Sequence, residues 1–272
     1  MKLNNLQRVF LGFYICLVIF WAVLFFFGIR EGFYNYLYSF LFGLIPLIGG
    51  IISMINSRVW GGLNSSMGKS IFFIGLGVFC WGIGELIWSY YNFVVGVPAP
   101  YPSLADVGFA PSIFFYGLGA FYLSRATGAK FGLRTTYAKV FVVLALVSII
   151  IFSYYILVIV ARGGVLLSST ESGIKVILDI AYPLGDLLSL LLAVVISGLS
   201  FRYIGGMYRF DIYAILLGLA VMFIADSVFS YTTTVGTYYN ANFGDLLLTT
   251  GTFLLTFGCI GFYKSRDEYL SQ

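Results

Sequence analysis

"VFLGFYICLVIFWAVLFFFGI", residues 9–29, carries no charge and no proline, and its length decides the fold. A helix needs about 20 residues, at 1.5 Å each, to cross the hydrocarbon core of a bilayer. This run is long enough, and so are residues 138–161 and 211–231. Composition agrees. Charged residues make up 10% of the chain and apolar ones 60%, against roughly 25% and 45–50% in a soluble domain. The sequence reads as an integral membrane protein.

Working outward gives eight apolar segments, at about 9–29, 36–55, 70–92, 105–124, 138–161, 174–198, 211–233 and 244–263. All are expected to be helices, because lipid leaves no partner for free backbone groups and the alternation of a barrel strand is missing. The fold class is therefore all-α, a polytopic membrane domain of eight transmembrane helices spanning 1–272. The first run is longer than the roughly 7–15 residues of a signal-peptide core and lacks a small-x-small cleavage pattern, so it reads as a retained helix.

Lys and Arg orient the chain. With the N-terminus inside, the cytoplasmic segments hold Lys2, Arg8, Arg58, Lys69, Arg125, Lys130, Arg134, Lys139, Arg202, Arg209, Lys264 and Arg266. Only Arg30, Arg162 and Lys175 remain outside. Such a bias in short loops predicts a cell-membrane protein with both termini cytoplasmic. It also explains the net charge of +4 without a nucleic-acid partner.

The chain has no histidine, which excludes His-ligated haem or zinc and Ser-His-Asp catalysis. Cys16, Cys80 and Cys259 fall in three different apolar segments. They read as small buried side chains rather than a disulfide framework or a zinc knuckle.

The two halves of the sequence match. "GELIWSYYN" (84–92) lies over "ADSVFSYTT" (225–233), placing Glu85 on Asp226, Trp88 on Phe229 and Ser89 on Ser230. "LAD" (104–106) then meets "FGD" (243–245), placing Asp106 on Asp245, and Gly119 falls on Gly258. Pro46 and Pro183 sit in related surroundings upstream. Four helices per unit is an even number, so the copies, about 9–125 and 138–264, would share one orientation as a parallel tandem repeat.

Six of the eleven acids fall inside helices or at their outer mouths: Glu85, Asp106, Asp179, Asp186, Asp226 and Asp245. Glu85 is placed about 10 Å below the outer end of its helix at 1.5 Å per residue, with Asp226 at the matching depth. An ionised Asp at a helix centre costs roughly 2.5–3.5 kcal/mol. These acids must therefore be protonated, solvated in a polar cavity, paired with Lys175 or Arg162, or sharing a cation. A single acid would suit a structural role, a hydrogen bond to a neighbouring helix. Six on one side favour a shared pocket.

Around the acids stand Trp81, Trp88, Tyr90, Tyr91, Tyr101, Tyr182, Tyr231, Tyr238 and Tyr239. Most of these read as an interfacial aromatic belt. On a helix, Trp88 and Ser89 share a face with Glu85. The candidate ligand-binding residues are thus Glu85, Trp88, Ser89, Asp106, Asp179, Tyr182, Asp186, Asp226 and Asp245. In "PSLAD" (102–106), Ser103 is expected to cap helix four, with Asp106 in its first turn.

"YPSLADVGF" (101–109), "AYPLGDLLSLLLA" (181–193) and "IADSVFSY" (224–231) together resemble the multi-helix membrane region that precedes GGDEF and EAL signalling domains. The resemblance runs from about 36 to 262. It rests on a Pro-Ser-x-Ala-Asp motif (Pro102, Ser103, Ala105, Asp106) and a Tyr-Pro-Leu-x-Asp motif (Tyr182, Pro183, Asp186). It implies a sensory or ligand-binding membrane module. The sequence departs from the pattern after Asp106, where the family's Tyr-Pro pair is replaced by an earlier Pro111. It also ends at Gln272 without an output domain, so output would pass to a cytoplasmic partner.

The leading functional reading is a sensor with an outward-facing acidic and aromatic pocket for a small molecule or cation. The alternative is a cation- or proton-coupled transporter or channel. An intramembrane aspartyl hydrolase fits less well, because "PLGD" (183–186) departs from the Gly-x-Gly-Asp pattern such enzymes use and catalysis is not the expected role. Carboxylates also suit Ca²⁺ or Mg²⁺, although nothing in the spacing selects a metal. No cofactor is indicated.

Overall fold

The computed structural model of the chain describes residues 3–97, 100–127, 136–160, 163–164, 173–200 and 208–263, with the side chains of Asp179, Pro183 and Asp186 outside that description. Among the described residues all regular structure is helical. The long helices are α1 (Asn5–Phe26), α2 (Phe33–Ser57), α3 (Ser66–Tyr90), α4 (Asp106–Ala126), α5 (Thr136–Tyr154), α6 (Gly173–Ser200), α7 (Arg209–Thr234) and α8 (Phe243–Gly261). Two of them run on as a wider π turn, α3 through Tyr91–Val95 and α5 through Tyr155–Val160. Seven helices among the described residues are long and apolar enough to cross a membrane. The chain is a multi-pass membrane protein.

Several helices start earlier than hydropathy indicates, because hydropathy misses a polar first turn. Asn4 opens α1 by accepting from the Gln7 amide at 2.7 Å, while the Gln7 side chain accepts from the Asn4 amide at 3.2 Å. This reciprocal cap satisfies two donors that the helix itself cannot. Ser65 does the same for α3 through the Gly68 amide at 2.9 Å. At α4 the expectation is corrected. The helix begins at Asp106, and Ser103 caps the turn before it, its hydroxyl accepting from the Ala105 amide at 3.2 Å.

Six helices form a closed ring in the order α2, α3, α4, α6, α7, α8, each packed on the next and α8 returning to α2; α3 also reaches α8 across the middle. The two remaining long helices lie outside it, α1 against α2 and α8, and α5 against α6. Burial follows this plan. In their spanning stretches α1 is 17% buried and α5 12%, against 67% in α8. Cys16 is exposed on the outer face of α1 and Cys80 is half-buried. Only Cys259 is fully buried as expected, since peripheral helices leave an apolar face to lipid.

Close approach at glycine sets the helix spacing within each half. A methyl group at Gly77 of α3 would lie 2.7 Å from Tyr116 of α4, and one at Gly218 of α7 would lie 2.9 Å from Leu255 of α8. Gly119 likewise faces Ile74, and Gly258 faces Ile215.

The α2–α8 contact holds buried polar residues on both helices. Asn35, Tyr38, Ser39, Ser53 and Asn56 of α2 meet it from one side, and Asp245, Thr249, Thr252 and Thr256 of α8 from the other, all at most 1% exposed. Tyr38 and Thr249 share a hydrogen bond of 2.8 Å. At the far end, the last carbonyls of α8 accept from Asn4 (Ile260, 3.0 Å), Gln7 (Phe257, 3.3 Å), Asn56 (Cys259, 2.8 Å) and Trp60 (Phe262, 2.9 Å). These side chains do for a buried helix end what water cannot do in lipid.

Candidate functional site

The inward face of α3 carries Glu85 and, nearly one turn later, Trp88. Glu85 is 5% exposed, and one carboxylate oxygen, Oε1, has no hydrogen-bond partner. Its aliphatic stem lies against Gly43 of α2, where a methyl group would come within 2.6 Å of Glu85 Cγ. Only glycine leaves room for the acid to point into the ring.

Opposite Glu85, the first turn of α8 holds Asp245. Asn242 caps this helix by accepting from the Asp245 amide at 3.0 Å. The Asp245 carboxylate accepts from the Ala241 amide at 2.6 Å and from the Tyr238 hydroxyl at 3.2 Å. Desolvation first, then the Asp245 carboxylate beside it, raise the Tyr238 phenol well above its ordinary range, so it remains a donor.

The α7–α8 loop is fastened to the rest of the ring. The Asn240 side-chain oxygen accepts from Trp88 Nε1 at 2.9 Å and from the Ser39 hydroxyl at 3.3 Å, and its carbonyl accepts from Asn35 at 2.9 Å. The Asn242 carbonyl accepts from Trp21 Nε1 at 3.0 Å.

Across the ring, Asp106 begins α4. One of its oxygens accepts from the Ser103 amide at 2.7 Å, and the other accepts from the hydroxyl of Tyr182 on α6 at 2.5 Å. Glu85, Asp106, Asp226 and Asp245 all line one cavity of about 50 Å³, together with Trp88 and Tyr182. That volume holds a few water molecules or one small charged group, at roughly 10–15 Å³ for a single water. Every ring helix contributes to the wall, and among the described residues no Lys or Arg lines it.

Aromatic rings complete the cavity. Phe229 and Tyr238 meet edge to face at 5.1 Å, Trp88 meets them at 6.2 and 5.9 Å, and Tyr101 meets Phe229 at 5.6 Å. The belt reading is therefore corrected for five of these residues. Trp81 and Trp88 are buried, and both line the cavity with Tyr101, Tyr182 and Tyr238. Tyr90 remains exposed.

The structure thus brings six of the nine sequence candidates to one place: Glu85, Trp88, Asp106, Tyr182, Asp226 and Asp245. Ser89 is buried but points elsewhere, its hydroxyl unpartnered and outside the cavity lining. Asp179 and Asp186 lie outside the described side chains. Sequence reasoning missed Gly43, Phe229, Tyr238 and Asn240 as parts of this site. Only Phe229 and Tyr238 had a signal, as aromatic residues close to paired acids.

The chemistry of the cavity is one-signed. Glu85, whose Oε1 has no partner, shares the cavity with three further acids and, among the described residues, no base, and an unpaired charge at this depth costs several kcal/mol. Among the described residues no three acids converge closely enough to hold a metal ion. The aromatic faces add a surface that attracts organic cations. Comparison with known proteins returned no match to a family model, a curated protein or a solved structure.

Proposed function

We propose that the protein is a sensory or ligand-binding membrane module whose intramembrane cavity takes a small cationic group from the outer side. The observation that carries this reading is Glu85: a buried carboxylate with an unpartnered oxygen, in a cavity with three further acids and, among the described residues, no base. A buried polar atom left unmatched by the protein's own groups is one that a ligand can match. Output would pass to a partner at the cytoplasmic side, in line with the resemblance to the membrane regions ahead of GGDEF and EAL domains.

The architecture proposed with this function has α6 as an eighth span, both termini cytoplasmic and two four-helix units in tandem. Helix packing supports the repeat. The register that lays Glu85 on Asp226 and Asp106 on Asp245 also lays the Gly77–Tyr116 contact on Gly218–Leu255, and Gly119–Ile74 on Gly258–Ile215. The ring order carries over as well, α2–α3–α4 corresponding to α6–α7–α8.

A second reading, cation- or proton-coupled transport, draws on the polar α2–α8 contact, which runs from Asp245 towards Asp211 at the opposite end of the helices. Purified protein in liposomes separates the two. Saturable binding of methylammonium without proton or cation flux supports the module, and flux abolished by Glu85→Gln replaces it with the transporter. Absence of both binding and flux removes the cavity from either role.

A further inference from the structure

A second cavity of about 420 Å³ lies between α4 and α6, walled by Ala110, Phe114 and Gly117 on one side and Leu178, Ala181 and Leu188 on the other. Its lining is apolar except for one hydroxyl, that of Tyr182. Phe114 and Leu188 are 64 and 62% exposed, so the groove opens on the face that a bilayer would cover. Tyr182 and Ile113 line both this groove and the acidic cavity. The Tyr182 hydroxyl faces Asp106 in the acidic cavity, while its ring walls the groove.

We propose that the ligand is a cationic amphiphile, an alkylammonium whose head sits among the carboxylates and aromatic rings and whose chain leaves past Tyr182 into the α4–α6 groove. This rests on the reading that the acidic cavity binds a cation. The two compartments have complementary demands. The inner one has carboxylates, Glu85 Oε1 unmatched among them, and aromatic faces for an ammonium group, but space for little more than a head group. The outer one has room and no polar partner to offer, which suits methylenes and nothing charged. A free inorganic cation would leave the groove unused, and a neutral lipid chain would leave Glu85 unmatched. One molecule with both ends satisfies both.

Gly117 provides the test. A methyl group there would meet nothing closer than Ser189 Oγ at 3.8 Å, and Gly117 lines the groove, so Gly117→Leu is expected to fill the groove rather than force the helices apart. Radiolabelled methylammonium and octylammonium would be titrated against the protein in nanodiscs. Wild type should bind both saturably, and Glu85→Gln should weaken both. Gly117→Leu should weaken octylammonium roughly tenfold, the loss expected from about two buried methylenes, while leaving methylammonium within about twofold. If Gly117→Leu fails to assemble, Ala181→Leu on the exposed face of the opposite wall replaces it. Octylammonium binding that neither groove variant weakens overturns the amphiphile, with the cation reading intact. If neither amine binds wild type saturably, the cation reading itself falls.

Discussion

Asp211 and Glu85 are both buried carboxylates in membrane-crossing helices, 7 and 5% exposed, yet their surroundings differ in kind. Asp211, at the start of α7, accepts from the Gln7 side chain at 2.9 Å, and Gln7 also donates to α8. It helps tie three helices together at the end where α8 terminates. Glu85 has an oxygen with no partner, in a cavity that is itself acidic. The first acid contributes to the fold. The second weakens it, and a group that costs stability without ligand is where a ligand contributes most.

The largest effect should come from Glu85→Gln. Removing the charge from the site should weaken binding of methylammonium by about 10–100-fold, the worth of one charge-assisted hydrogen bond at roughly 1.5–3 kcal/mol. Stability in detergent should hold or rise. A variant that unfolds at lower denaturant than wild type would make Glu85 another Asp211. Gln7→Leu should do the reverse, costing about 1–3 kcal/mol of stability by removing the side-chain donor to Asp211 and half of the α1 cap, and leaving binding unchanged. Loss of binding in Gln7→Leu would show that the two ends are coupled.

Gly43→Ala sharpens the same contrast without touching charge. Its methyl group would crowd the Glu85 stem at 2.6 Å, so the acid must turn away. Binding should fall about tenfold, as for one lost hydrogen bond, while the carboxylate is retained. Unchanged affinity would mean that the acid's position in the ring is immaterial to the site.

How far the sequence foretold these features follows from the range of each signal. The seven helices long and apolar enough to cross a membrane were legible, because a spanning run is a local property of about 20 residues. The acids of the site were legible because charge in lipid is conspicuous at any position. The role of Asn240 was not. Its partners, Ser39 and Trp88, lie far away in the chain, and no local pattern records that contact. Gly43 was hidden for the same reason, its meaning residing in Glu85 on the next helix. The aromatic residues misled because a tyrosine or tryptophan suits the bilayer interface and a buried cage equally well. Trp88 and Tyr90 are two positions apart, yet one is 6% exposed and the other 55%.

The smallest effects belong to the acids lying between the two extremes. Asp245 and Asp106 each have one oxygen on a backbone amide, Ala241 or Ser103, and accept from a tyrosine, Tyr238 or Tyr182. Much of their hydrogen-bonding capacity is therefore spent within the protein, which leaves less for a ligand. Asp245→Asn should cost about 1 kcal/mol of stability, one net hydrogen bond, and weaken methylammonium binding less than Glu85→Gln does. Asp106→Asn should have the smallest effect on binding. Its amide retains an acceptor for Ser103 or Tyr182, and the charge it loses also serves the N-terminus of α4, where an acid contributes roughly 0.3–1 kcal/mol. The stability loss should match that figure, with binding weakened only a fewfold. The order Glu85, Asp245, Asp106 in binding would follow how little each acid is already engaged. If Asp106→Asn proved as damaging to binding as Glu85→Gln, then the hydrogen bonds around Asp106 orient it for the ligand and do not merely occupy it, and the contrast between engaged and bare acids would no longer separate fold from function.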